Sequence, residues 1–337
     1  MGFCMCLSSG GSTDRNQIYE VNDYGQENAV LYSEQHDVPQ DVGSVSSLTG
    51  GKGFNQDAAI LHLGYGTQDG ALCGVFDGHG DQKYGQLVSR IVRNQLPSLL
   101  LGHMNNHSVT RDSKLICETA FLAMDKRILK FKKTLDCSSS GTAAVVAVKQ
   151  GNQIMVANLG DSRAVMIRTS EMGETEVVQL TNDLKPSVPS EAERIRKRNG
   201  RVLALESEPH IKRVWLPNEN APGLAMSRSF GDFVLKSYGV IATPQVSTHQ
   251  ITPRDQFLLL ASDGVWDVLS NEQVATVVMK SANESAAASA VTEAAANAWR
   301  QKYPTIKVDD ISVVCLSLST RNVNLRSSST NMTKPSS

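Results

Sequence analysis

The chain has 337 residues, 40% of them hydrophobic, with 33 basic and 34 acidic side chains and a net charge of -1. That length bounds it at one large or two ordinary domains whose core needs no disulfide staples, and the balanced charge excludes the basic footprint of a nucleic-acid-binding protein. No stretch reaches the roughly 18 apolar residues of a membrane-spanning helix, and six scattered cysteines, with Cys73 and Cys315 inside apolar runs, read as reduced core thiols.

The chain opens with MGFCMCLSS. Gly2 after Met, followed by small residues with Cys4 and Cys6, fits an N-myristoylation signal with two palmitoylation sites, although Cys6 stands where Ser or Thr is usual. One myristoyl chain binds membranes only marginally, so acylation of Cys4 and Cys6 is the expected second anchor; the competing reading is an unmodified tail. Residues 8–40 and the Ser-, Asn- and Thr-rich 320–337 are polar, which predicts two disordered ends around one domain at 41–319.

Within that domain, VFDGHG (75–80) is an apolar run that stops at Asp77-Gly78. Asp-Gly is a hairpin signal. The next segment, however, places Tyr84, Leu87, Val88, Ile91 and Val92 at helical spacing, so the order reads strand, turn, helix, with Pro97 ending the helix. GTAAVVAVKQGNQIMVANLG reads as a hairpin about Gly151, and RAVMIR as a further strand. Ser190 with Glu193 fits a capping box opening SEAERIRKRNG, which Gly200 closes and whose basic run reads as a solvated face.

QFLLLASDGVWDV repeats the earlier plan, a strand ending at Asp263-Gly264 with Asp267 just beyond, before a helix capped by Ser270 and Gln273. The alanine-rich 284–302 is helical to near Pro304, and the strand ISVVCLSL follows Asp309 and Asp310. Trp215 and Trp266 read as core, and Arg228 and Asp232 as structural pairing residues. Antiparallel strand pairs with separate helices give an α+β class.

Carboxylates therefore gather where apolar strands end, at Asp57, Asp77, Asp263, Asp267, Asp309 and Asp310. One at a time, each is more often a turn former or a cap. Together they carry a cost of desolvation and mutual repulsion that calls for a compensating cation. Oxygen ligands, with no His or Cys pair at zinc spacing, favour Mg²⁺ or Mn²⁺, and several carboxylates favour more than one ion. His79 beside them is suited to proton donation near neutral pH.

KGFNQDAA, FDGHG, SSSGTAAVVAV, VANLGDSRAV, LTNDLKP, EAERIRKRNGRV, LAMSRSFGD, LLLASDGVWDVLSNEQV and VDDISVV follow one another along residues 42 to 318. In order and spacing they resemble the metal-dependent protein serine/threonine phosphatases of type 2C (PPM family), and KGFNQD with the acylatable start resembles its plant branch. The resemblance implies two antiparallel β-sheets in a central β-sandwich flanked by helices, in four layers α-β-β-α. It implies two Mn²⁺ or Mg²⁺ ions in a cleft, bridged by Asp77 and completed by the Gly78 carbonyl, Asp263 and Asp309. A weaker third ion falls to Asp183 and Asp267 with Asp263, and a flap spans about 185–232.

By the same resemblance Asp57 orients an ion-held water, His79 is the general acid and Lys52 binds phosphate. Two such ions ready a water for in-line attack on phosphorus. The chain departs from the family pattern at three positions: Lys52 offers a point charge where the family has a forked Arg, Gln56 replaces Glu, and Leu184 replaces His. The expected partners are phosphoprotein substrates and a membrane surface, and the expected state is a monomer tethered to the cytoplasmic face of the plasma membrane, or otherwise in cytoplasm or nucleus. The competing function is an inactive relative serving as a phosphoprotein-binding or membrane adaptor module, against which the intact Asp77, Asp263 and Asp309 argue.

Overall fold

The computed structural model describes residues 17–19, 28–33, 42–106, 112–131 and 135–318. Gly2, Cys4, Cys6 and the 320–337 tail lie outside the described residues. Successive strand residues point to opposite faces, and here both faces are apolar. In Ala71–Phe76, Leu72 and Phe76 join one buried cluster while Cys73 and Val75 join another. In Asp255–Ala261, Leu258 and Leu260 are divided in the same way from Leu259 and Ala261. A sheet that is apolar on both faces needs cover on both, and two such sheets that cover each other leave two outer faces for helices.

That is the observed stack. A seven-stranded sheet runs in the order Gln17–Tyr19, Ala29–Ser33, Ala58–Leu63, Ala71–Phe76, Ala144–Gln150, Gln153–Leu159, Gln245–Gln250. A five-stranded sheet runs Thr175–Gln179, Arg163–Thr169, Asp255–Ala261, Ile311–Ser317, Gly43–Leu48. Gln82–Asn106 and Ser113–Lys130 pack on the first, and Asn271–Lys280 and Ala287–Lys302 on the second. The expected α+β sandwich of four layers is present, with one pair, Ala29–Ser33 beside Ala58–Leu63, running parallel. That strand lies before residue 41, so the folded unit starts earlier than the polar composition implied; Ala29 and Val30 are buried in it.

The hairpin about Gly151 forms as read, Gln150 pairing with Gln153 and Gly151 taking the positive φ that a two-residue turn requires. Ser270 and Gln273 form their capping box. Ser190 does not cap: the helix Pro189–Lys197 starts from Val188, because Pro189, with its φ already fixed for the first turn, takes the entry position. Nor does Pro97 end its helix, which runs Gln82–Asn106. Val88, Val92, Leu96 and Leu100 recur every four residues and are fully buried. A proline inside a helix costs about 3 kcal/mol, and burying Leu96 and Leu100 beside it contributes about 1.5–3 kcal/mol each, so the stripe carries the helix through.

Where the five-stranded sheet meets the outer helices, the Trp299 indole N–H donates to the Gly264 carbonyl at 2.7 Å. A Cβ on Gly264 would collide with the Asp310 carbonyl. Only glycine lets these two acidic segments cross. Cys73, Cys117, Cys137 and Cys315 are free and buried, as core thiols are.

Candidate active site

Three strands end at one side of the sandwich. Asp77 follows Ala71–Phe76 of the seven-stranded sheet; Asp263 follows Asp255–Ala261, and Asp309 precedes Ile311–Ser317, both in the five-stranded sheet. They open onto a single cleft of about 980 Å³, with Gly78, His79, Lys52 and Asp267 along its walls. That volume admits a phosphorylated side chain with part of its backbone.

Burial pushes the Asp77 and Asp263 carboxyls well above the ordinary carboxylate range, and neighbouring carboxylates add to it: Asp263 and Asp57 act on Asp77, and Asp309 and Asp161 on Asp263. Two lysines answer part of this charge. Lys52 Nζ lies 2.5 Å from Asp309 Oδ2, and Lys185 Nζ 3.7 Å from Asp267 Oδ1. Burial works against both ammonium groups, yet the surrounding carboxylates prevail and hold them above their usual value.

The donor set fits a hard divalent cation: carboxylate and carbonyl oxygens, excess negative charge, and Asp161, whose buried Oδ1 has no hydrogen-bond partner. Among the described residues no three His, Cys, Asp or Glu side chains already stand at ligand separations. A cation at Asp309 would have to displace Lys52 Nζ from Asp309 Oδ2.

A raised carboxyl pKa means that the folded chain binds more protons than the unfolded one. The ion-free protein accordingly loses stability as pH rises from the ordinary 3.8 towards the value of about 7 that burial, then Asp310, give Asp57. A cation bound to the deprotonated set reverses that loss. The rise in melting temperature on adding Mn²⁺ to chelator-treated protein is expected to be larger at about pH 8 than at about pH 5; equal shifts would contradict the assignment.

Asp57 and Asp183 do not line the cleft. Asp57 is buried behind it, where its Oδ2 accepts the Ser262 hydroxyl at 2.8 Å. Asp183 is held by a two-pronged bond from Arg163, Nε to Oδ1 at 3.0 Å and Nη2 to Oδ2 at 2.7 Å. Asp310 braces the Lys52 loop, accepting from Gly50 N and Gln56 N at 2.8 Å each. Leu184 is buried, and its carbonyl takes the Ser227 hydroxyl.

Other residues enter the cleft that were not singled out as ligands from the sequence. Asp161 and Lys185 are two, and His210 of the flap strand Glu208–Trp215 is a third, although as one of several scattered histidines it carried no expected role. Asp232 is a fourth. Arg228 and Asp232 do not pair with each other: Arg228 binds Glu191, and Asp232 Oδ2 lies 2.7 Å from His79 Nε2. The signal for Asp161 and Asp232 was the Gly-Asp step in each of NLGDSR and SFGD, which ends an apolar stretch as the other acidic sites do.

Glu191 fixes the flap. It is 2% exposed and accepts from both nitrogen-rich neighbours, Arg194 and Arg228, and from the Ser227 hydroxyl. The basic run is thus only partly a solvated face, since Arg194 turns inward. Trp215 and Trp266 are core as expected.

With this geometry in place, the comparisons with known proteins agree. The family model Protein phosphatase 2C matches residues 42–303. A probable protein phosphatase 2C 61 of Arabidopsis thaliana is 81% identical over 322 residues, covering 96% of this chain and 98% of that protein. The probable protein phosphatase 2C 72 of the same plant is 50% identical over 94% of this chain and 98% of its own length. Among solved structures, the serine-threonine phosphatase 2C of Toxoplasma gondii superposes with a TM-score of 0.71 at 26% identity, over 83% of this chain and 98% of that one. Identity at this level over nearly the whole chain, together with the acidic cleft at the sandwich end, makes the protein a plant-type member of the protein phosphatase 2C family, the metal-dependent protein serine/threonine phosphatases.

Proposed function

We propose that this chain hydrolyses phosphoserine and phosphothreonine in proteins at the acidic cleft, with two Mn²⁺ or Mg²⁺ ions held by Asp77, the Gly78 carbonyl, Asp263 and Asp309. The observation that carries this reading is the convergence of strand-end carboxylates from both sheets on one cleft, beside a histidine and a lysine. Bound ions of this kind supply charge neutralisation and an activated water for in-line displacement.

The protein's own groups do the rest. Lys52, half exposed at the cleft mouth, attracts the incoming phosphate, which releases it from Asp309. Asp57, buried behind the cleft and held by the Ser262 hydroxyl, would help to orient the attacking water. Burial lowers the affinity of His79 for its proton, and the facing Asp232 outweighs this, so the ring stays protonated above the ordinary 6.5. It can then give that proton to the departing seryl or threonyl oxygen. For a weaker third ion, Asp267 and Asp263 are available, but Asp183 must first leave Arg163; Asp161, with its unpartnered oxygen, is the readier donor. The test is dephosphorylation of a phosphothreonine peptide as a function of Mn²⁺, in wild type and in Asp263→Asn. Activity without the ion, or an undiminished variant, defeats the reading.

The start MGFCMC supports a myristoylated and palmitoylated monomer at the cytoplasmic face of the plasma membrane, meeting phosphoprotein substrates there. Gly2→Ala is expected to move the protein from the membrane to the soluble fraction; unchanged partitioning rejects the anchor.

A further inference from the structure

The His79–Asp232 contact is built by an element of its own. A small three-stranded sheet sets Gly78–His79 and Phe230–Gly231 on either side of Gly141–Thr142. His79 pairs with Gly141 on one edge and Gly231 pairs with Gly141 on the other. The middle residue has no side chain. A Cβ there would lie 2.5 Å from Asp232 Oδ2 and 3.0 Å from His79 Nε2. Gly141 is the opening through which the two outer strands reach each other.

Asp232 is in turn held rigidly. It has left-handed backbone angles (φ 49°, ψ 43°), is 1% exposed, and takes the Ser229 hydroxyl on the same Oδ2 at 2.6 Å. Its amide donates to the Ser140 carbonyl. The loop around it is pinned by Lys236, which donates to the Ser229 carbonyl at 2.5 Å and faces Asp125 at 3.5 Å, while Asp125 accepts the Gly231 amide. The family reading of the cleft gives these groups no part. His79 lines the cleft, but Nδ1, the other ring nitrogen, is buried and without a hydrogen-bond partner among the described residues, so the ring must tilt within its plane for Nδ1 to meet a leaving group.

We infer that Asp232 is a positioning residue for His79: it accepts the Nε2 proton across Gly141, fixes the plane of the ring, and leaves Nδ1 as the nitrogen that serves the leaving group. A carboxylate that holds one imidazole nitrogen so that the other can act is a recurrent way to fix tautomer and orientation. The inference rests on the proposed role of His79 as proton donor. In that step water adds to phosphorus, the P–O bond to the seryl or threonyl side chain breaks, and its electron pair stays on that oxygen. The oxygen takes the Nδ1 proton, and the ring remains neutral with Nε2–H still on Asp232.

The readout is leaving-group dependence. An alkoxide cannot depart without a proton, whereas p-nitrophenolate can. Asp232→Asn keeps the side-chain shape and tolerates the left-handed backbone. It is expected to lower kcat on a phosphothreonine peptide at least about tenfold more than kcat on p-nitrophenyl phosphate, with KM for the peptide changed much less than kcat. In a His79→Ala background it is expected to add nothing. Ser229→Ala, which removes only the second bond to Asp232, is expected to show the same selectivity in weaker form. Equal losses on both substrates, or no loss on the peptide, with His79→Ala itself selective, overturn the role of Asp232 alone. If His79→Ala loses both substrates equally, the proton-donor reading of His79 falls and this inference with it.

Discussion

Asp263→Asn is expected to abolish Mn²⁺-dependent phosphatase activity, by about a hundredfold or more in kcat, while leaving the ion-free fold intact or more stable. Both halves have one cause. The Asp263 carboxyl is buried, with Asp309 and Asp161 near it, and its pKa is pushed well above the ordinary range, so its negative charge is a liability when no cation balances it. Asparagine keeps the shape and one oxygen but drops the charge. A divalent cation held by Asp263 would lose an anionic partner, and electrostatic stabilisation of this kind is commonly worth several kcal/mol in the transition state. The scaffold meanwhile loses a repulsive group. Kinetics with Mn²⁺, together with thermal melts in chelator, check the two halves separately. A variant that is both inactive and destabilised without ions would mean that Asp263 is structural.

Glu191→Ala is expected to cost about 3–5 kcal/mol of stability. Glu191 Oε1 accepts from Arg194 at 2.6 Å and Arg228 at 2.7 Å; Oε2 accepts from Ser227 at 2.6 Å, Arg194 at 2.8 Å and Arg228 at 2.9 Å. Truncation strands two guanidinium groups that also bind the Gly239, Ser227 and Thr243 carbonyls, so they cannot swing out to water without further losses. Urea denaturation measures the effect as a lower midpoint at unchanged slope. A loss below about 1 kcal/mol would mean the network is replaceable by solvent, as at exposed ion pairs.

The pH dependence has a defined sign. Burial raises the Glu191 pKa, but the bonds from Arg228, Arg194 and Ser227 prevail and lower it to about 2 from an ordinary 4.5. The depressed value means that the stabilisation is complete above about 4.5 and is lost as pH falls towards 2. Against Glu191→Gln, the wild-type advantage is therefore expected to shrink across that acid window and to be constant above it. This slope is opposite to the one expected from the cleft carboxylates in the ion-free protein.

Much of the fold was legible because strand alternation and apolar runs are local properties. The α+β class, the hairpin at Gly151 and the Ser270 cap came from residues adjacent in sequence, whereas the sandwich came from the resemblance to a known family. Local preference failed where a neighbour outvoted it: Pro97 stays inside its helix because Leu96 and Leu100 are buried, and Pro189 displaced Ser190 from the cap. For the site, Asp77, Asp263 and Asp309 were visible because each borders a core strand, where an unpaired charge is conspicuous.

The order of residues alone settled which acidic groups border apolar strands, and hence that they call for a compensating charge. Which charges meet was left to the folded arrangement. Asp232 and His79 stand 153 positions apart, and their 2.7 Å contact exists only because two short strands flank a glycine. Asp183 is claimed by Arg163 and Arg228 by Glu191 for the same reason. Hydrogen bonds and ion pairs depend on separations of a few ångströms, which chain spacing cannot encode until the sheets have brought distant segments together.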